Sequence, residues 1–133
     1  MDISNFIPTV DTVDVEIKSP VDQSVMKNED GTPMTITMYL PHSKEYKAVR
    51  HDQTNRRIQA SQKKGGNKVT AQEIEAETIE LLVKTTAGWD VTYKGKHLKE
   101  FDPKVAKEMY ELATFISEQL FEGVAEAEVF TKN

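Results

Sequence analysis

The sequence predicts an α+β fold: a small, mainly α-helical domain with an N-terminal antiparallel β-hairpin packed on the helices. Three observations carry that expectation. Two early runs alternate apolar and polar residues with the two-residue period of half-buried strands. Later stretches repeat apolar residues at steps of three and four, the period of helices that bury one face. A length of 133 residues holds a single ordinary domain, so both patterns must share one core.

Residues 1–11 contain Pro8 and no sustained period, and are expected to form an irregular arm. The hairpin is expected over residues 12–41. In its first strand Val13, Val15 and Ile17 point one way and Asp14, Glu16 and Lys18 the other. Ser19-Pro20 ends that strand, and a polar excursion closes on Asp30-Gly31, a strong turn signal. Met34, Ile36, Met38 and Leu40 then share one face of a second strand, with Thr35, Thr37 and Tyr39 on the other. Two strands alone are marginal in water, so helices must cover the apolar face.

Pro41-His42-Ser43 stops the strand and places Ser43 as N-cap of a basic helix over residues 43–64. Its apolar stripe is sparse: Tyr46, Val49 and Ile58. Lys63-Lys64-Gly65-Gly66-Asn67 is a connector by composition. A helical region spans 70–130. Thr70 and Glu73 have capping-box spacing. Ile74, Thr78, Leu81, Leu82 and Thr85 form the apolar face of its first helix, with Glu73, Glu77, Glu80 and Lys84 on the wet side. Gly88 suits the left-handed position beyond that helix. Trp89 then acts as a core plug between the helical halves or as an interface anchor. Lys94-Gly95 suggests a tight turn between Val91-Thr92-Tyr93 and His97-Leu98. Asp102-Pro103 opens a last region whose seam is Val105, Met109, Leu112, Ile116, Leu120 and Val124, widened by Phe115 and Phe121.

Composition bounds the function. Hydrophobic residues are 38% of the chain and charged residues 29%, with a mean hydropathy of −0.56. An average domain is about 45–50% apolar, so the core is expected to be thin and to be completed by self-association or a partner. The absence of cysteine excludes disulfides, a thiol nucleophile and thiolate metal sites. Met1-Asp2-Ile3-Ser4 does not start a signal peptide, and no run approaches the roughly 18 apolar residues of a membrane span. These features predict a soluble protein of a reducing cytoplasm.

Net charge is −5, but it is unevenly spread. Between Lys44 and Lys68 eight Lys or Arg face only Glu45 and Asp52, leaving that segment near +6 and the remainder near −11. Lys44, Lys47, Arg50, Arg56 and Arg57 form a candidate basic interaction face. It is open to three readings: a solvated helix face, a nucleic-acid patch, or attraction between subunits. The acidic remainder, the missing aromatic platform and the diglycine connector after the basic helix argue against nucleic acid.

No catalytic constellation is present. His42, His51 and His97 are scattered without metal-ligand spacing. Gly65-Gly66-Asn67-Lys68-Val69-Thr70 lacks the phosphate-loop spacing. The glutamates of 73–80 lie on the wet side of a helix, and no nucleophile motif occurs. The expectation is therefore a noncatalytic protein without cofactor or metal.

The run Thr35-Ile36-Thr37-Met38-Tyr39-Leu40-Pro41-His42-Ser43-Lys44-Glu45-Tyr46 resembles the strand, Pro-containing turn and Ser-capped helix of small tail assembly chaperones of long-tailed bacteriophages. Ala87-Gly88-Trp89-Asp90 looks like that family's Gly-Trp signature. Phe101, the segment Phe115-Ile116-Ser117-Glu118-Gln119 and Phe130 resemble its ending, where a Phe precedes a helix, Pro-Trp-aliphatic-x-x-Gln follows, and an aromatic closes. The likeness covers roughly residues 33–130. Thr114 stands where the family has proline and Phe115 where it has tryptophan, so residues 103–129 fit either one helix or two. The resemblance implies a protein that binds the tape-measure protein, keeps it soluble and helps tail-tube protein polymerise around it. It also implies action in the bacterial host cytoplasm and absence from the mature virion. The alternatives are a minor structural tail or neck protein and a small nucleic-acid-binding regulator.

Overall fold

The computed structural model describes residues 2–63 and 69–130. Most of the expected diglycine connector and the side chain of Phe130 lie outside the described residues. The alternating runs form strands β1 (Thr12–Glu16) and β2 (Thr35–Tyr39), antiparallel in the register Val13↔Met38 and Val15↔Ile36. Val15, Ile17, Ile36, Met38 and Leu40 are buried, which is the face that the alternation predicts.

The polar excursion between these strands is folded back rather than loose. Ile17 N–H donates to Met34, Met34 to Met26, and Met26 back to Ile17, so three backbone segments close a ring of hydrogen bonds. Asp22 and Asp30 each hold the residue two places on, through its N–H and its hydroxyl. Gly31 takes φ +86° in the Asp-Gly turn, a conformation that costs glycine little.

Helix α1 (Lys44–Lys63) begins at Ser43, whose Oγ accepts from Tyr46 N–H at 3.2 Å. Helix α2 (Ala71–Lys84) begins at Thr70, whose hydroxyl accepts from Glu73 N–H. Its end differs from the sequence expectation. Thr85 is the C-cap, and the hydroxyls of Thr85 and Thr86 donate to the carbonyls of Leu81 and Leu82. The chain enters strand β3 (Thr86–Tyr93) at once, so Gly88 is a strand residue and not a left-handed cap. Trp89 likewise sits within a strand, opposite Ile36.

Strand β4 (Lys96–Leu98) follows the expected tight turn, with Lys94 at φ 51° and Gly95 at φ 78°. The turn is tied down by Glu108, which accepts from Tyr93 Oη at 3.0 Å and Lys94 Nζ at 3.1 Å. The hairpin has thus grown into a four-stranded antiparallel sheet, in order β1-β2-β3-β4.

Helix α3 (Pro103–Leu112) starts at the Asp102 cap with proline in its first turn, as expected. It stops at Ala113 (φ −103°, ψ 79°), and helix α4 (Thr114–Phe130) starts again, so two helices form. The break changes the seam. Met109, Ile116 and Leu120 are buried, whereas Leu112 at the end of α3 is 73% exposed. Ile74 is also half exposed, since only the last turns of α2 reach the core.

Helix α4 crosses β1 closely at Gly123. A Cβ there would stand 2.7 Å from Val15 Cγ2, well inside van der Waals contact. Gly123→Ala is expected to destabilise the fold by about 1–3 kcal/mol through overpacking. Adding Val15→Ala should recover part of that loss. A double-mutant cycle from urea unfolding checks this, and strictly additive effects would show that the two residues do not meet.

Candidate interaction surface

The residues singled out by sequence fall into two groups. The aromatic and amide positions are built into the fold. Trp89 is 5% exposed, its ring meets Phe101 edge-to-face at 4.8 Å, and its Nε1–H donates to the Glu100 carbonyl at 2.9 Å. Phe115 is half-buried beside an apolar cavity of about 210 Å³, which Ile17, Met26, Met34 and Met109 also line. Gln119 does what a neighbouring strand would do: its Oε1 accepts from Lys18 N–H and its Nε2 donates to Lys18 C=O, both at 2.8 Å. Trp89, Phe101, Phe115 and Gln119 therefore join the sheet to the helical layer. Trp89 reads as core and not as an exposed anchor.

Gly88 is different. Its φ is ordinary, and nothing lies within 4 Å of where a Cβ would stand. It lies opposite Thr37, on the sheet face that carries Asp14, Thr35, Asp90 and Thr92 and points away from α4. That face holds a polar network that sequence reasoning missed. Asn28, only 4% exposed, donates to Asp90 and accepts from Thr92 Oγ1 at 2.6 Å, while His97 Nε2 pairs with Asp90. An asparagine in a polar loop gives no sign in sequence that it will be buried.

The basic helix is the second group. Among its residues only Gln53 is buried, and beyond it every residue to Lys63 is exposed. Gln53 Nε2 donates to the Glu77 carbonyl at 2.8 Å and to Glu80 Oε1 at 2.9 Å. Arg56 pairs with Glu80 and with Asp52, and Arg57 Nε donates to Glu77 at 3.1 Å. Glu77 and Glu80 are consequently half-buried and face α1, not the solvent that the period suggested. Two of the five candidate cations are thus neutralised inside the chain, while Lys44, Lys47 and Arg50 stay on the exposed surface. The i,i+4 pattern shows which residues share a helix face but not which helix comes to lie against it.

Burial pushes the Glu80 carboxyl up, but hydrogen bonds from Arg56 and Gln53, with Lys84 nearby, outweigh it and hold the pKa at about 2. Burial pushes the Tyr110 phenol up to about 12, against the opposing hydrogen bond with Thr86.

Among the described residues no three His, Asp or Glu gather as a metal site, and no helix is long and apolar enough to cross a membrane. Comparison of the chain with family models, curated proteins and solved structures found no match.

Two outcomes follow from this geometry. Glu80 binds a proton more weakly in the folded chain, so the stability it contributes is present above the ordinary value of 4.5 and lost as pH falls towards about 2. Glu80→Gln should flatten the stability profile in that window, measured by urea melts at stepped pH; an unchanged acid limb would contradict the α1–α2 contact. Gly88→Thr should leave stability unchanged or raise it by up to about 1 kcal/mol, since threonine suits strands better than glycine. A clear fall in thermal midpoint would mean that packing on the open face requires the glycine.

Proposed function

We propose that the protein is a noncatalytic tail assembly chaperone of long-tailed bacteriophages, which binds the tape-measure protein in the host cytoplasm and keeps it soluble while tail-tube protein assembles. The observation that carries this reading is the ordered resemblance across residues 33–130, from the Thr35–Tyr46 run through Gly88-Trp89 to Gln119. Physical chemistry supports it. A tape measure is a long helical chain with apolar stripes, and such a partner needs an adaptable surface that covers them. The far halves of α1 and α2 have no buried residue, yet carry Ile58 and Ile74, each 50% exposed. Those two isoleucines are the apolar contacts this reading assigns to the partner. Pairing of Arg56 and Arg57 with α2 weakens the nucleic-acid alternative, because it removes cations that would neutralise phosphates.

Co-expression tests the reading. The protein should keep its tape-measure partner soluble, with only mild sensitivity to salt, because apolar burial drives the contact. Ile58→Asp with Ile74→Asp should fold normally and lose that rescue. The purified protein should not bind duplex or single-stranded nucleic acid at physiological salt. Tight, salt-dependent nucleic-acid binding without rescue of the partner would refute the proposal, and the discriminating variant there is Lys44→Glu with Lys47→Glu, which leaves the α1–α2 pairs intact.

A further inference from the structure

The two edges of the sheet, β1 and β4, differ in charge, and among the described residues neither pairs with a further strand. On β1, Ile17 N–H donates to Met34 and Leu40 N–H donates to Asp11, so the odd-numbered residues bond inward to β2. By antiparallel alternation the N–H and C=O groups of Thr12, Asp14, Glu16 and Lys18 point outward. Gln119 takes those of Lys18. The remaining edge borders a groove of about 400 Å³ between β1 and α4 that Glu122 and Glu126 line, while the side chains of Asp14 and Glu16 lie on the open face, where Asp14 accepts from Thr37 Oγ1. On β4, the two-residue turn makes Tyr93↔Lys96 the bonded pair, so the backbone groups of His97 point outward. This edge carries Lys96 and Lys99, both exposed.

We propose that copies of this chain join head to tail, β4 of one adding to β1 of the next as an antiparallel strand. Three features of the sheet select this partner. Four alternating antiparallel strands leave β1 and β4 running in opposite directions, so a copy displaced along the sheet without inversion presents β4 antiparallel to β1. The same displacement keeps every helical layer on one side. Charge then matches by face. Lys96 shares the helix side with Tyr93, towards Glu122 and Glu126 of the neighbour, while His97 and Lys99 lie on the open side towards Asp14 and Glu16. The two symmetric pairings are disfavoured: β1 against β1 opposes carboxylates, and β4 against β4 opposes ammonium groups. A heterologous contact of this kind closes into a ring or continues as a filament, according to the rotation between copies. It is independent of what the helical layer binds.

The test uses purified full-length chains in sedimentation velocity at about 0.1 M salt. The parent should show assembly that grows with concentration. Asp14→Lys with Glu16→Lys makes both edges basic, and Lys96→Glu with Lys99→Glu makes both acidic; each alone should weaken association by about tenfold or more. An equimolar mixture of the two variants restores opposite charges at every junction, so it should assemble where neither does alone. A parent that stays monomeric at every concentration, an assembly indifferent to both reversals, or a mixture no larger than its components would each overturn the proposal. The mixing arm also separates a lost interface from a lost fold, since an unfolded variant cannot restore assembly.

Discussion

The pairing of β2 with β3, centred on Ile36 opposite Trp89, is the contact on which the rest of the molecule depends. Each hairpin alone is local and cheap to close, but neither has enough apolar surface to persist in water. Joining them across the two intervening helices produces one sheet with one buried face. It places Trp89 where Phe101 and the Glu100 carbonyl can meet it, and so carries the chain to the start of α3. The loop-closure entropy of that long connection must be offset by burial of Ile36, Met38, Trp89 and Val91.

Helices α1 and α2 stand in contrast to that core. Their contact is a polar seam through Gln53, Arg56 and Arg57, with exposed ion pairs that each contribute little. Stability therefore falls from the sheet towards the far halves of both helices, which have no buried residue. Such a gradient is expected of an element that adapts to a partner, because regions with few buried apolar contacts open at low free-energy cost. Polar networks such as Asn28 with Asp90 and Thr92 satisfy one another and hold the excursion onto the sheet.

Charge is distributed over the molecule with two different consequences. The basic segment that dominates the sequence is partly spent inside the chain, on Glu77 and Glu80. The less conspicuous groups, Asp14 and Glu16 on one edge and Lys96 and Lys99 on the other, remain exposed beside outward backbone groups. Exposed edges invite pairing with any strand, and charge is a common means of restricting which strands can add.

By itself the sequence determined the local elements. Alternation at 13–17 and 34–40 set both early strands and their buried faces, because a period of two leaves one choice of face. Ser43, Thr70 and Asp102-Pro103 set three helix starts, and Lys94-Gly95 set a turn, since each depends on groups within four residues. Tertiary structure alone decided what those elements meet. Thr86-Ala87-Gly88 has no strand pattern, and it becomes a strand only because β2 offers an edge to pair with. Leu112 keeps the helical period yet faces water, because the break at Ala113 turns α4 away. Glu77 and Glu80 leave the solvent because α1 lies over them, and Gln119 finds its partner in the backbone of Lys18, a group that no side-chain pattern reports. Periodicity records the orientation of a residue about its own axis, whereas burial and partnership depend on distant chain brought against it.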